Sequence, residues 1–401
     1  MPLTQTPSAD RVHIGFFGRR NAGKSSLVNA VTGQALSVVS DTPGTTTDPV
    51  RKAMELLPLG PVLVIDTPGF DDEGALGALR VRKTREILRE ADIAVLVVDV
   101  AQGMMPADEE LLALFKENNT PYIIAMNKCD LGNAQCTMQR SCHDRRTQCV
   151  EVSALTGENI HELKEAIARL VPQKEERRLL GGLLSPGDCA VLVTPVDAAA
   201  PKGRLILPQQ QVLREALDAG AYALVVKETE LTGALANLSK PPALVITDSQ
   251  VFAFVAEVAP EDVPLTSFSI LFARYKGFLK QAVEGVEALQ NLPAGSSVLV
   301  AEGCTHHRQC DDIGTVKLPR WIREKLGRDF AFSFCSGNEF PEDLSPYALV
   351  LHCGGCMLNE KTLSARVSIA AAQGVPFTNY GVCIAWLRGI LDRCLQPFDG
   401  R

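Results

Sequence analysis

Clusters of lysine and arginine are missing from this chain. Its 40 basic residues are spread among 47 acidic ones, giving a formal net charge of −7. A protein that neutralises many phosphates needs its positive charge gathered on one face, so this balance argues against a nucleic-acid scaffold. Long apolar runs are missing too. The longest uncharged stretch, Val367–Leu387, is interrupted by Gln373, Gly374, Pro376, Thr378, Asn379 and Gly381, and is too polar to span a bilayer. The first ten residues are polar and hold no apolar signal-peptide core. A cytoplasmic protein is therefore expected, with neither a membrane nor a nucleic acid among its partners. Internal repeats and low-complexity segments are also absent. What remains is 46% hydrophobic and 22% charged over 401 residues, the composition of a soluble globular protein long enough for two or three domains.

The most informative segment present is Gly18-Arg19-Arg20-Asn21-Ala22-Gly23-Lys24-Ser25, a complete GxxxxGKS phosphate loop. Its glycines let backbone N–H groups approach a triphosphate, Lys24 reaches the β/γ oxygens and Ser25 ligates Mg²⁺. The apolar run Val12–Phe17 before it reads as a strand, and Ser26–Val31 after it as a helix, which sets the phosphates at a helix N-terminus. Further boxes follow in the order a GTPase needs. Asp41-Thr42-Pro43-Gly44-Thr45-Thr46-Thr47-Asp48 is a hydroxyl-rich loop. Val62–Ile65 ends in Asp66-Thr67-Pro68-Gly69, where Asp66 would hold Mg²⁺ and the Gly69 N–H would sense the γ-phosphate. Ile93–Val98 leads to Asp99, and Tyr122–Met126 leads to Asn127-Lys128-Cys129-Asp130. A carboxylate at Asp130 accepts both N–H groups of guanine and leaves adenine unsatisfied, which selects GTP. Val150–Val152 ends in Ser153-Ala154-Leu155, suited to backbone contact with the base. Every box follows a strand, at the carboxyl edge where parallel α/β sheets bind ligands.

The wording GRRNAGKSS, GTTTD and DTPG resembles the tRNA-modification and Era/Der branch of small GTPases. That resemblance implies that Thr46 is the switch threonine closing on Mg²⁺ and the γ-phosphate. Phe70 follows Gly69 where Ras-like enzymes place a water-orienting glutamine, and a phenyl ring cannot orient water. The resemblance further implies that Asn21 helps to ligate a K⁺ ion; the alternative is that Asn21 only hydrogen-bonds the loop.

The GTP-binding domain is expected over 10–172, closing on an amphipathic helix at Ile160–Leu170. A glycine- and proline-containing linker leads to a small α/β unit over 183–260, with strands at Cys189–Val193, Tyr222–Val226 and Leu244–Ile246. Its core would be modest, which makes docking on a second copy attractive. A third domain over 265–401 alternates strands and helices again, so the whole chain reads as α/β. Strands there end at Cys304-Thr305-His306, at Cys335 and at His352-Cys353-Gly354-Gly355-Cys356, and a parallel sheet would bring those ends to one edge.

Twelve cysteines need an explanation other than disulfides, because the cytoplasm keeps thiols reduced. Cys129, Cys136, Cys142, Cys149 and Cys189 are scattered, whereas Cys304, Cys310, Cys335, Cys353, Cys356, Cys383 and Cys394 crowd the end. A CxxC with further Cys and His groups suits a structural zinc and an iron–sulfur cluster equally well. The spacings of Cys136, Cys142, His143 and Cys149 fit no common metal site, and Cys335 and Cys383 are reserve ligands at the cluster edge.

A GTPase of this branch followed by CxH…HCxxC resembles the FeFe-hydrogenase maturation GTPases, the HydF family, over essentially the whole chain, including Ala200-Pro201-Lys202-Gly203-Arg204-Leu205. The resemblance implies that Cys304, Cys353 and Cys356 bind a 4Fe–4S cluster. Its fourth site would take a weak, exchangeable ligand, for which His306 and His352 are the candidates and Glu302 a further carboxylate. It also implies a scaffold that receives the di-iron precursor made with two radical-SAM maturases and passes it to the apo-hydrogenase catalytic subunit. The middle domain would form a homodimer. The rivals are a ribosome- or tRNA-associated GTPase with a zinc-stabilised C-terminal domain, and a zinc-stabilised regulatory module.

Overall fold

The computed structural model describes residues 6–34, 49–70, 75–131, 148–172, 177–196, 205–303, 312–337 and 339–398. The chain divides into two compact units, Met1–Gln173 and Lys174–Arg401.

The first unit is built on a six-stranded sheet of β1 (Val12–Phe17), β2 (Val50–Leu56), β3 (Gly60–Asp66), β4 (Ile93–Asp99), β5 (Tyr122–Asn127) and β6 (Cys149–Val152), in the order β2-β3-β1-β4-β5-β6. All neighbours are parallel except β2, which runs antiparallel to β3. The β4 residues are all buried, because helices cover both faces of such a sheet and allow an unbroken apolar run. The edge strand β2 was not expected from the sequence. It carries Arg51, Lys52 and Glu55 and is mostly exposed, so it shows no alternation; pairing along β3 organises it, and its charges guard an open edge. Strand order reverses at β1, whose neighbours are β3 and β4, and the phosphate loop leaves from that switch point.

The second unit holds two parallel four-stranded sheets. One consists of β7 (Cys189–Val193), β8 (Tyr222–Val226), β9 (Leu244–Thr247) and β10 (Leu265–Ser267), in the order β10-β9-β7-β8. The other consists of β11 (Ser297–Glu302), β12 (Ala331–Ser336), β13 (Leu349–His352) and β14 (Phe377–Asn379), in the order β12-β11-β13-β14. The expected third-domain start at 265 needs correction: Leu265–Ser267 pairs in parallel with Val245–Thr247 and so completes the earlier sheet. Three residues are too few to show a period of two, so the Pro260–Pro264 segment looked like a boundary. The two sheets also share one buried cluster, with Val191 and Val245 from the first beside Val298, Leu299 and Val350 from the second. The terminal helix Leu391–Leu395 returns to the earlier part of this unit, where Arg393 donates to the carbonyls of Ala256, Ala259 and Pro260.

Cys129, Cys189, Cys335, Cys353, Cys356, Cys383 and Cys394 are free thiols. Cys149 is disulfide-bonded, which departs from the expectation of reduced thiols throughout. No helix among the described residues is long and apolar enough to cross a membrane.

Candidate functional site

In the first unit the loop after β1 is shaped by close approaches. Gly18 has φ +145°, and a Cβ there would stand 2.3 Å from the Val97 carbonyl oxygen. Gly23 has φ +86°, and a Cβ there would stand 2.3 Å from Asn127 Nδ2. Asn21 is exposed with φ +61°. The helix Lys24–Thr32 starts at the end of this loop, with Ser25 and Ser26 in its first turn. Lys24 is buried, and its Nζ donates to the carbonyls of Gly18 at 2.9 Å and Arg19 at 2.7 Å.

Ser25 Oγ donates to Asp66 Oδ2 at 2.7 Å. Asp66 is 5% exposed, and its buried Oδ1 has no hydrogen-bond partner among the described residues. A buried carboxylate oxygen left over beside a hydroxyl is the hard-oxygen donor set that Mg²⁺ takes, so these two residues fit the ion. Gly69 lies against the same loop: a Cβ on it would come within 3.0 Å of the Arg20 backbone. Phe70 donates its N–H to the Gly18 carbonyl at 3.3 Å and buries its ring with Phe17, Ile65 and Leu96. Phe70 is thus a core residue and does not face solvent.

The boxes expected to recognise the base are tied to the phosphate loop. Asn127 Nδ2 donates to the Ala22 carbonyl at 3.0 Å, and its Oδ1 accepts the Ala154 N–H at 3.0 Å. Lys128 Nζ donates to the Asn21 carbonyl at 2.8 Å and to Asp99 Oδ2 at 2.7 Å. Ser153 Oγ donates to Asp130 Oδ1 at 2.6 Å and accepts the Thr156 N–H at 3.1 Å, orienting the carboxylate. The expected residues Gly18, Asn21, Ala22, Gly23, Lys24, Ser25, Asp66, Asn127, Lys128, Asp130, Ser153 and Ala154 therefore fall on one sheet edge. Thr46 lies outside the described residues. One partner was missed: Arg19 Nε donates at 2.8 Å to Asp108 Oδ2 on the helix Pro106–Glu117. Burial pushes the Asp108 carboxyl up, against the opposing pull of the Met105 N–H and Arg19. Arg19 and Asp108 lie far apart in sequence, and no local pattern announces the pair.

In the second unit the later sheet gathers its chemistry at the carboxyl edge. Register sets Cys335, Ala301, His352 and Asn379 side by side across β12, β11, β13 and β14. Cys353 follows His352, and its Sγ accepts the N–H of Gly303 at 3.0 Å and of Gly355 at 3.3 Å. Gly303 directly precedes Cys304 in the sequence; Cys304, His306, Cys136, Cys142 and His143 lie outside the described residues, as do 200–204. Backbone N–H groups directed at a sulfur suit a thiolate, whether free or bound to metal. Burial raises the Cys353 thiol, with these two N–H bonds opposing it, and raises Cys356 to about 11. Among the described residues no group of three Cys, His, Asp or Glu side chains forms a metal cage.

His352 is fully buried, and burial, followed by the nearby Arg366 charge, lowers it to about 3, so the ring is neutral. Its Nδ1 lies 2.7 Å from the Cys353 carbonyl and its Nε2 lies 3.0 Å from Arg366 Nη1. Glu302 is buried and accepts from the Tyr380 hydroxyl at 3.3 Å. Cys335 sits at the edge, but Cys383 is fully buried in the apolar core, where burial pushes its thiol to about 12. Cys383 therefore does not serve as a reserve ligand at the edge.

Three family models match the chain. Residues 13–128 match a 50S ribosome-binding GTPase family, 179–277 the hydrogen maturase F dimerization domain, and 280–397 the hydrogen maturase F tetramerization domain. The last two together span more than half of the 401 residues. Curated relatives align with the first unit. GTPase Der of Natranaerobius thermophilus is 35% identical over 167 residues, covering 41% of this chain and 38% of that protein. The tRNA modification GTPase MnmE of Roseiflexus sp. is 38% identical, covering 38% of this chain and 35% of that protein. GTPase Era of Aquifex aeolicus is 31% identical, covering 41% of this chain and 58% of that protein. The chain thus spans between about a third and three-fifths of the length of these relatives. Among solved structures, Aquifex aeolicus Era bound to GDP and aluminium fluoride superposes with a TM-score of 0.38 at 22% identity, covering 61% of this chain and 97% of that one.

Proposed function

This chain belongs to the hydrogen maturase F family, and we propose that it is a GTP-hydrolysing scaffold that assembles and delivers the di-iron precursor of FeFe-hydrogenase. The observation that carries the reading is the Cys353 sulfur, which accepts two backbone N–H bonds at a parallel-sheet edge, one of them from the residue preceding Cys304. Cys304, Cys353 and Cys356 hold a 4Fe–4S cluster, with His306, His352 and Glu302 as the sequence candidates beside its fourth position. When bound, a cluster with an exchangeable iron corner supplies an attachment point for a second metal unit. The two radical-SAM maturases provide the precursor and the apo-hydrogenase catalytic subunit accepts it. Self-association through 179–277, at least to a homodimer, is supported by the names of the family models that match.

In the GTPase unit, Lys24 would neutralise β/γ oxygens, Ser25 and Asp66 would hold Mg²⁺, the Gly69 N–H would serve the γ-phosphate, and Thr46 is the switch threonine that the resemblance implies. Asp130, oriented by Ser153, selects guanine. The buried Phe70 cannot orient the attacking water; following the resemblance to the tRNA-modification branch, Asn21 would help to hold a K⁺ ion, which would supply positive charge there. GTP turnover that is equal in sodium and potassium buffers sinks the potassium assignment. GTP acts as a switch that biases docking of partners and does not drive the metal chemistry. The GTPase family matched by 13–128 is named for ribosome binding, but that segment is the nucleotide-binding part alone. The functional test adds cluster-loaded protein, prepared with both maturases, to apo-hydrogenase and measures hydrogen evolution. Activity restored by wild type and not by Cys353→Ala is expected; equal restoration by both refutes the carrier role.

A further inference from the structure

The cysteine edge is flanked by a buried positive charge that the iron–sulfur reading does not use. Arg366, in the helix Glu360–Ala372, is 3% exposed. Its Nη1 stands 3.0 Å from His352 Nε2, its Nη2 donates to the Gly337 carbonyl, and its guanidinium lies 5.1 Å from the centre of the Phe340 ring. These partners are all neutral, and Arg366 forms no ion pair with a carboxylate among the described residues. A buried guanidinium is costly unless an anion offsets it. Register brings the buried carboxylate of Glu302 to this edge as well, but the acidic groups whose charge opposes the burial of Arg366 are the thiols Cys335 and Cys353; Cys353 follows His352 directly, and Cys335 and His352 both pair with Ala301.

His352 is fixed at both ends. A carbonyl can only accept, so the ring N–H resides on Nδ1 and donates to the Cys353 carbonyl, while Nε2 accepts from Arg366. The ring is fully buried and stacks on Phe377 at 5.6 Å. Both nitrogens are spoken for, which leaves neither for iron. Lys276 Nζ donates to the carbonyls of Gly355 at 2.6 Å and Leu358 at 2.5 Å, which ties down the Cys353–Cys356 loop as well.

We propose that Arg366, held by His352, is a positioning residue supplying the countercharge of the cluster, and that His352 is its mount and not an iron ligand. The proposal rests on the iron–sulfur reading above. Reduction of the cluster by one electron, taken from an external reductant such as dithionite, adds one negative charge. A fixed cation beside it stabilises the reduced form and raises the potential.

The test uses full-length protein labelled with ¹⁵N-histidine and reconstituted anaerobically, comparing wild type with Arg366→Met, Arg366→Lys and His352→Gln. Iron content, dithionite titration followed by EPR, and nitrogen couplings by pulsed EPR are read together. At the wild-type midpoint, Arg366→Met should show a reduced-to-oxidised ratio roughly tenfold lower, which Arg366→Lys largely restores. His352→Gln should lower the potential in the same direction and leave the nitrogen couplings unchanged. A fully loaded Arg366→Met variant with the wild-type potential overturns the proposal. So does loss, in His352→Gln, of a strong nitrogen coupling present in wild type. If Arg366→Met holds no cluster, the His352→Gln variant decides through its potential, which must fall, and its nitrogen couplings, which must stay unchanged. Wild-type protein that takes up no cluster refutes the iron–sulfur reading itself, and the proposal with it.

Discussion

Replacing Gly23 with alanine tests whether the phosphate loop and the guanine box form one mechanical unit. At φ +86° an L-residue costs about 1–2 kcal/mol from backbone sterics alone. The new Cβ would stand 2.3 Å from Asn127 Nδ2, the atom that donates to the Ala22 carbonyl at 3.0 Å. The amide must therefore withdraw, breaking that bond and displacing Oδ1 from the Ala154 N–H. Leaving one buried polar group unsatisfied costs about 1–3 kcal/mol, so the total is roughly 2–5 kcal/mol. That is a large share of a domain's typical stability of about 5–15 kcal/mol, yet short of unfolding most domains. If about 3 kcal/mol of it falls on the nucleotide-bound state, affinity drops roughly a hundredfold. Gly33 provides the control, because it has φ +67° but nothing within 4 Å of the place a Cβ would occupy. Gly33→Ala should cost about 1–2 kcal/mol of stability and leave affinity unchanged. Fluorescent GDP titration beside urea unfolding of the full chain reads both quantities. A Gly23→Ala variant that binds GDP within threefold of wild type refutes the coupling through Asn127.

Other outcomes follow from the same geometry. Asp130→Asn should weaken GTP binding roughly a hundredfold or more and gain xanthosine triphosphate, because the carboxylate that accepts two base N–H groups is gone; unchanged guanine preference in competition binding contradicts the assignment. Asp108 has a folded pKa raised by burial, so the native state binds more protons than the unfolded one once pH passes above 3.8. Stability contributed by the neutral form is therefore lost as pH rises through that window. Asp108→Asn should flatten this fall and leave stability at neutral pH equal or higher, despite removing the 2.8 Å contact with Arg19. Chemical unfolding at pH 4 to 7 checks it, and a marked loss of stability at pH 7 would show that the ion pair outweighs desolvation. Asn21→Ala should abolish any excess of GTP turnover in potassium over sodium, measured by phosphate release.

Much of the GTPase unit was legible because each box sits where a buried apolar strand ends, and strands such as Val12–Phe17 leave an unbroken hydrophobic trace. Strand β2 was hidden by its charges and β10 by its brevity, since both take their form from a neighbour and not from their own residues. In the second unit, Cys335 and His352 were legible as strand ends, and register then brought them to one edge. Cys383 misled because a position near a strand end does not reveal whether a helix turns the thiol into the core. The Arg19–Asp108 and Arg366–His352 contacts had no sequence signal at all, because tertiary packing alone joins them.

The proposed carrier role depends above all on an iron–sulfur cluster held by Cys304, Cys353 and Cys356. The most direct test is the low-temperature EPR spectrum of anaerobically reconstituted, dithionite-reduced full-length protein, beside its Cys304→Ala, Cys353→Ala and Cys356→Ala variants. A reduced-cluster signal is expected in wild type and should be lost or strongly diminished in each variant. A silent wild-type spectrum with one zinc bound per chain would contradict it.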